Sequence, residues 1–239
     1  MGYRAPSRVE TVQLHQSYAY EDFVQGYRPT EAGGFELRDG VFLRFCNAAL
    51  KDPGRDYVLI IDEINRGNLS MVFGELMLLI EQDKRNAGWA TRLTYTRPND
   101  PKIYVPDNLL IIGMMNTADR SLSMVDYALR RRFAFVTLRP QFAAPAFREH
   151  LTGAGIPSDV VDRIRSRMTE LNDSIARDTI NLGPGFQIGH SFFVPVEAGW
   201  YSETWYDRIV DTEIRPLLEE YWFDEPKKAA GWRDRLMPD

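Results

Sequence analysis

Tyr57-Val58-Leu59-Ile60-Ile61-Asp62-Glu63 is the stretch on which the fold turns. Its first five residues form an unbroken apolar run of strand length, rich in β-branched side chains. Such a run suits a strand buried on both faces, as in the middle of a parallel sheet, better than the alternating strand of a half-solvated one. Two acids close it. In an open α/β sheet, ligands bind outside the carboxyl ends of the strands, so a carboxylate at this point projects into the binding edge. Asp62 there can hold Mg²⁺, largely through water. Glu63 can orient and polarise a water for attack on a γ-phosphorus. The pattern is that of a Walker B element; the plainer alternative is a strand that ends in solvated acids.

Reading outward, Val9 to His15 alternates and opens with β-branched residues, a short strand, and Gln16 to Gly34 reads as a loop rich in Tyr and Gly. Asp39 to Leu50 places Val41, Phe42, Phe45 and Ala49 at helical spacing before Pro53-Gly54 stops it. Asn68 to Lys84 is an amphipathic helix. Thr91 to Arg97 and Lys102 to Val105 flank Pro98-Asn99-Asp100 as a hairpin. Leu109 to Met115 is a second buried strand ending at Asn116, Ser123 to Arg132 a short helix, and Ala134 to Leu138 a third core strand closed by Arg139-Pro140. Beyond Pro140 the pattern turns helical, with Ala144 to Thr152, Ser158 to Arg177 and Thr204 to Tyr221, and a Gly/Phe-rich stretch from Gly183 to Val196. The expected organisation is therefore α/β over 1–140 and a mainly helical domain with a C-terminal tail over 141–239.

Composition narrows the classes. With 239 residues, 44% hydrophobic, the chain can bury a core of one large domain or one domain plus a small one. A net charge of −5 argues against a general electrostatic grip on nucleic acid. The single cysteine, Cys46, forms no internal disulfide and sits beside an apolar run, as a core thiol would. No stretch is long and apolar enough for a membrane span, and 1–10 has no signal-peptide core, so a cytoplasmic location is expected. His15, His150 and His190 show no metal-ligand spacing with the cysteine. His190 is expected to make a structural hydrogen bond. Tyr18, Tyr20 and Phe23 are expected to pack rather than to stack on bases.

Two further features carry chemistry. Asn116, an amide at the tip of a neighbouring core strand, can share the attacking water with Glu63, or it can simply cap the following turn. Arg130-Arg131-Arg132 ends an apolar helix. Guanidinium groups fit phosphate oxygens and could reach a neighbouring subunit's nucleotide, but basic residues also suit a helix C-terminus through its dipole.

The segments Val58-Leu59-Ile60-Ile61-Asp62-Glu63-Ile64-Asn65-Arg66-Gly67-Asn68 and Met115-Asn116-Thr117-Ala118-Asp119-Arg120-Ser121 together resemble the McrB family of AAA+ nucleoside triphosphatases, of the dynein-related AAA subfamily. The string from His15 to Pro29 fits, as do Asn181-Leu182-Gly183 and Gly185 to Ser191, so the resemblance spans roughly 9–222. It implies an AAA+ core, a parallel sheet flanked by helices, followed by a helical lid. It implies that Asp62 holds Mg²⁺, that Glu63 is the catalytic glutamate, and that Asn116 is the sensor 1 asparagine in a signature with Asp119 and Arg120. It further implies that Arg131 and Arg132 act at a subunit interface, with Arg66 near it. ATP or GTP would be the substrate. The working form would be a ring, expected to be a hexamer, with a McrC-like nuclease subunit. The system would act in defence against modified foreign DNA, with DNA contacted through domains that are not in this sequence.

One departure stands out. A phosphate-gripping Walker A loop needs Gly-Lys-Ser/Thr after a Gly-rich turn. None of Lys51, Lys84, Lys102, Lys227 and Lys228 follows a glycine. In the family order the strand before that loop lies between the Asn116 strand and the last one. Leu109 to Met115 and Ala134 to Leu138 are therefore expected to flank a gap, and the chain is expected to be one piece of a longer protein. The alternative is a non-catalytic ring-assembly subunit that supplies sensor and arginine residues in trans. A MoxR-like or dynein-like remodeller shares the fold but lacks support from the Met115 to Ser121 string.

Overall fold

A computed structural model describes residues 8–96, 99–116, 118, 127–195, 202 and 204–237. The chain divides into two compact units, Met1–Phe135 and Val136–Asp239.

In the first unit, β1 (Val9–Gln13), β4 (Tyr57–Asp62) and β5 (Leu109–Gly113) form a parallel sheet in the order β1-β4-β5. Between β1 and β4 lie α1 (Tyr20–Phe23), the antiparallel hairpin β2 (Gln25–Pro29) and β3 (Phe35–Asp39), and α2 (Val41–Lys51). Parallel neighbours need a crossover, and α2 serves as one, burying Phe42, Leu43, Phe45, Cys46 and Ala49. Burial pushes the Cys46 thiol up to about 12, so it is an inert core group. The end of α2 is tied to the approach to β5. Asn108 Nδ2 donates to the carbonyls of Ala49, Asp52 and Arg55 at 3.0, 3.2 and 2.8 Å. These carbonyls lie at and just beyond the C-terminal end of α2, so one amide holds that end and the following turn together.

Several expectations are corrected. Residues 16–34 are not a plain loop: they contain α1 and most of the hairpin, whose turn closes through Gly33 (φ 78°) and Gly34 (φ 104°). Asp39 closes β3, and the helix starts only after Gly40. The single helix expected over Asn68 to Lys84 is broken into α3 (Leu69–Phe73), α4 (Leu76–Leu79) and a 3₁₀ turn (Gln82–Lys84). The break is at Gly74, with φ 51° and ψ −130°, which side chains rarely adopt. A Cβ there would meet the Tyr20 ring at 2.8 Å. Beside it Glu75 accepts the Tyr20 hydroxyl at 2.8 Å and the Thr94 amide at 2.7 Å, and burial with this bond raises the Tyr20 phenol's pKa. The expected hairpin over 91–105 reduces, among the described residues, to one antiparallel bridge, Thr91 to Ile103. Of the expected Ser123 to Arg132 helix, α5 (Tyr127–Arg130) lies within the described residues and 121–126 outside them.

The three expected core strands also differ from expectation. β4 is fully buried on alternate residues only. β5 buries Leu109 but leaves Leu110 and Ile112 46% and 48% exposed. Ala134 to Leu138 forms no strand, and its Val136 and Leu138 are 82% and 91% exposed. An apolar strand without a pairing partner gains neither ladder bonds nor burial, so residues of strand type remain irregular.

The second unit comprises α6 (Pro145–Gly153), α7 (Ser158–Arg177), α8 (Trp205–Ile209), α9 (Arg215–Tyr221) and α10 (Pro226–Leu236). A π turn over Val210–Ile214 joins α8 to α9. Pro216 cannot donate to the carbonyl one turn back, and the widened turn just before it accommodates that loss. The expected C-terminal tail is instead helix α10, with Ala229, Trp232 and Leu236 buried. The carbonyl of Leu236 accepts from Arg167 at 2.6 Å and from the Tyr206 hydroxyl at 2.6 Å. Buried Asn172 of α7 donates to Ile188 O at 2.9 Å and accepts from Ile188 N at 2.7 Å, which fixes the Gly-rich stretch to the helix. Asp178 accepts from Trp222 Nε1 at 2.8 Å and from Lys228 Nζ at 2.7 Å. Among the described residues, no helix is long and apolar enough to cross a membrane.

Two outcomes follow from these contacts. Lys228 and Trp222 hold the Asp178 carboxyl down to about 2. A depressed folded pKa contributes stability above the unfolded pKa and loses it as pH falls through the folded one. Asp178→Asn is therefore expected to lower the melting temperature at neutral pH, by a loss of roughly 1.5–3 kcal/mol for hydrogen bonds to a charged group. The gap to the unsubstituted chain is expected to close between about pH 4 and pH 2 in thermal melts followed by circular dichroism. Gly74→Ala is expected to cost about 1–3 kcal/mol in denaturant unfolding, because the backbone there is strained for any side chain.

Candidate nucleotide site at the sheet edge

β4 and β5 run parallel with Ile61 opposite Gly113, so the residues after each strand leave the sheet at the same edge. The ladder continues past the strands: Met114 N donates to Ile61 O at 2.8 Å and Ile64 N to Met114 O at 2.9 Å. On the other side Asp62 pairs with Gln13, and Leu14 N donates to Asp62 O at 2.9 Å. The Asp62 backbone is thereby fixed from both sides. Gly113 is required by close approach, since a Cβ on it would sit 2.7 Å from Ile64 Cδ1.

The chain then turns sharply. Glu63 lies in the left-handed region (φ 51°, ψ 43°), and no other described non-glycine residue has positive φ. Its amide donates to Asp62 Oδ1 at 3.0 Å, so the aspartate braces the turn. Glu63 Oε2 is buried and lies 3.1 Å from Arg66 Nε without a formed hydrogen bond, which leaves charge attraction as the contact. Asn65 Oδ1 in the same turn is also buried and receives no hydrogen bond. Asn116 is exposed, three residues past Gly113, and its Oδ1 accepts from Ala118 N at 3.0 Å, closing a small turn. Asp119 and Arg120 lie outside the described residues.

The structure thus brings Asp62, Glu63 and Asn116 to one sheet edge, with Arg66 on Glu63. It places the paired arginines elsewhere in the unit. Arg132 is half-buried, with its guanidinium 2.8 Å from Glu81 Oε1, and Lys84 bonds the other Glu81 oxygen. Lys84 above all, with Arg132, holds the Glu81 carboxyl below its ordinary range. Arg131 is exposed and helps line a cavity of about 560 Å³ together with Gln82, Asp83 and Phe133. Nothing in the sequence pattern singled out Glu81, which sits in a stretch expected to be continuous helix. Asn65 was within the quoted string but carried no expected role.

Other candidates are structural. Gln141 N donates to His190 Nδ1 at 3.2 Å, and the imidazole packs edge-on against Phe142 and Phe147. Phe23 is fully buried, in ring contact with Tyr18, Phe42 and Phe73. Among the described residues no group of three or more His, Cys, Asp or Glu side chains could cage a metal.

Residues 3–133 match a family model described as AAA domain (dynein-related subfamily). Residues 163–230 match one described as McrB, alpha-helical lid domain. The chain is 50% identical over 240 residues to the Type IV methyl-directed restriction enzyme EcoKMcrB subunit of Escherichia coli (strain K12), covering 100% of this chain and 52% of that protein. It is 29% identical over 125 residues to the Type II restriction enzyme BsuMI component YdiS of Bacillus subtilis (strain 168), covering 48% of this chain and 36% of that protein. The chain therefore spans about half the length of the first relative and about a third of the second. Among solved structures, a putative ATPase from Cytophaga hutchinsonii ATCC 33406 overlays with TM-score 0.34 and 13% identity, over 71% of this chain and 50% of that one, too loosely to carry an argument. With an AAA match over more than half its length, a McrB lid match behind it, and half its residues shared with a McrB subunit, the chain belongs to the dynein-related AAA subfamily and is of the McrB type.

Proposed function

We propose that this chain is the ATP- or GTP-hydrolysing AAA+ module of a McrB-like restriction motor. It works in a ring, taken as a hexamer, with a McrC-like nuclease subunit and with DNA contacted by other domains. The observation that carries the reading is the arrival of Asp62, Glu63 and Asn116 at one edge of a parallel sheet, at the ends of adjacent strands. Asp62 would hold Mg²⁺ largely through water, and the ion would neutralise phosphate charge. Glu63 accepts a hydrogen bond from the attacking water and takes its proton. Asn116 orients the same water once its amide leaves Ala118. Asp119 and Arg120 belong to the same nucleotide-facing signature. Of the paired arginines, Arg131 is the better trans-acting finger, because it is exposed while Arg132 is tied to Glu81.

The triphosphate grip is supplied from outside this sequence. The open β5 edge with its exposed Leu110 and Ile112 supports that reading, since β5 has room for one more apolar strand alongside it. A second reading, a non-catalytic subunit that completes a neighbour's site in trans, draws on the absence of any Gly-Lys pair.

In a form of the protein that carries a phosphate loop, Glu63→Gln is expected to lower steady-state hydrolysis by roughly 10²–10⁴-fold while leaving nucleotide binding intact. Unchanged turnover would remove the motor assignment. The chain as given is expected to show no nucleotide binding by calorimetry. If it is added to a phosphate-loop form whose Arg131 is alanine, recovery of hydrolysis would favour the assembly reading, and no recovery would favour the motor module.

A further inference from the structure

Arg131 stands between two fixed neighbours. On its N-terminal side Leu129 is buried in the core of the first unit, and Arg132 N and Phe133 N both donate back to the Leu129 carbonyl, at 2.9 and 3.0 Å. On its C-terminal side the Arg132 guanidinium lies 2.8 Å from Glu81 Oε1, with the two side chains only 18% and 25% exposed. The other Glu81 oxygen accepts from Lys84 Nζ. Glu81 is itself well held. It follows buried Ile80, and a turn further on Arg85 donates to the carbonyl of Ile80 at 3.0 Å and to that of Leu109, the first residue of β5, at 2.8 Å. The carboxylate is thus a fixed point referred to the sheet, and Arg132 is fastened to it. Arg131, the adjacent residue, stays exposed at the cavity of about 560 Å³ that Glu81 also lines.

We propose that Glu81 is a positioning residue for the trans-acting arginine: by anchoring Arg132 it sets where the Arg131 guanidinium stands at the subunit surface. The role presupposes that Arg131 acts in trans, as read above. Glu81 works through its neighbours and has no contact with nucleotide assigned to it. An arginine that serves another subunit's γ-phosphate must arrive in register, and a displacement of about 1 Å can cost on the order of 10²-fold in rate. Adjacent side chains leave a turn in different directions, so one arginine can be the anchor while the next reaches out. The difference in exposure between Arg132 and Arg131 fits that division. The anchor need not be the sole partner of Arg132; it needs only to be a fixed one, as a supporting contact behind a functional side chain must be. A carboxylate that merely stabilised the fold would impair the subunit that carries it. A positioning carboxylate impairs the hydrolysis of the subunit next door.

The test uses a form of the protein that carries a phosphate loop. Glu81→Gln keeps the size and an acceptor oxygen but removes the charge that holds Arg132. It is expected to lower kcat by roughly 10–10²-fold with KM nearly unchanged. Glu81→Gln is then mixed with an equal amount of Glu63→Gln, which turns over slowly but presents an intact arginine pair. The mixture is expected to regain turnover several-fold, because nucleotide held by a Glu81→Gln subunit then faces a correctly placed Arg131. An unchanged kcat in Glu81→Gln, or no gain in the mixture, would overturn the positioning role. Should Glu81→Gln fail to fold by circular dichroism, Glu81→Asp, which draws the charge back by one methylene, takes its place in the same mixture. Arg131→Ala mixed with Glu63→Gln tests the trans reading itself. If that mixture gains nothing, the reading of Arg131 has failed; if it gains and the Glu81 mixture does not, only the positioning role has.

Discussion

The parallel ladder that holds β4 between β1 and β5 is the constraint on which the first unit depends. Because both neighbours run in the same direction as β4, every strand delivers its C-terminal residues to one side, and polar groups that are far apart in sequence meet there. An antiparallel neighbour would have sent Asn116 to the opposite end of the sheet from Asp62. The ladder also runs one residue beyond the strands, through Met114 and Ile64, so the turn that carries Glu63 is bonded to the tip of β5. Gly113 permits that contact by leaving room for Ile64. The site is therefore positioned by backbone bonds and by one missing side chain, which is a stiffer support than a loop could provide.

What the sequence made legible, and what it concealed, divides along physical lines. Runs such as Tyr57 to Ile61 and Ser158 to Arg177 declared themselves because a long apolar run or a sustained 3.6 period has one stable solution. The segment from Gln16 to Gly34 hid a hairpin because its strands carry Gly, Arg and Pro in place of β-branched residues, and their order comes from pairing and from two left-handed glycines. Asn68 to Lys84 kept a helical period through Gly74, while the tertiary bond from Tyr20 to Glu75 set the break. At the site, Asp62, Glu63 and Asn116 were readable as residue types at strand ends. The contact between Glu63 and Arg66 and the tie between Arg132 and Glu81 were not, since an ion pair leaves no periodicity behind it.

The most instructive disagreement concerns two apolar segments. Leu109 to Met115 and Ala134 to Leu138 have the composition of core strands, yet the one is exposed along a face and the other has no regular structure. Composition reports the environment a segment is built for, and geometry reports what surrounds it. The two disagree at Leu110 and Ile112 of β5 in the first unit, and separately at Val136 and Leu138 at the start of the second, where β-type residues lie open.

The turn at Glu63 shows how a strained backbone persists. A non-glycine residue in the left-handed region costs free energy of order 1 kcal/mol and is retained only if neighbours hold it. Here the Asp62 carboxylate braces the amide, Ile64 ties to β5, and Arg66 balances the charge. The Glu63 turn is thus held both by its own neighbours in sequence and by the tip of β5, so its strain is carried by the same ladder that positions the sheet edge.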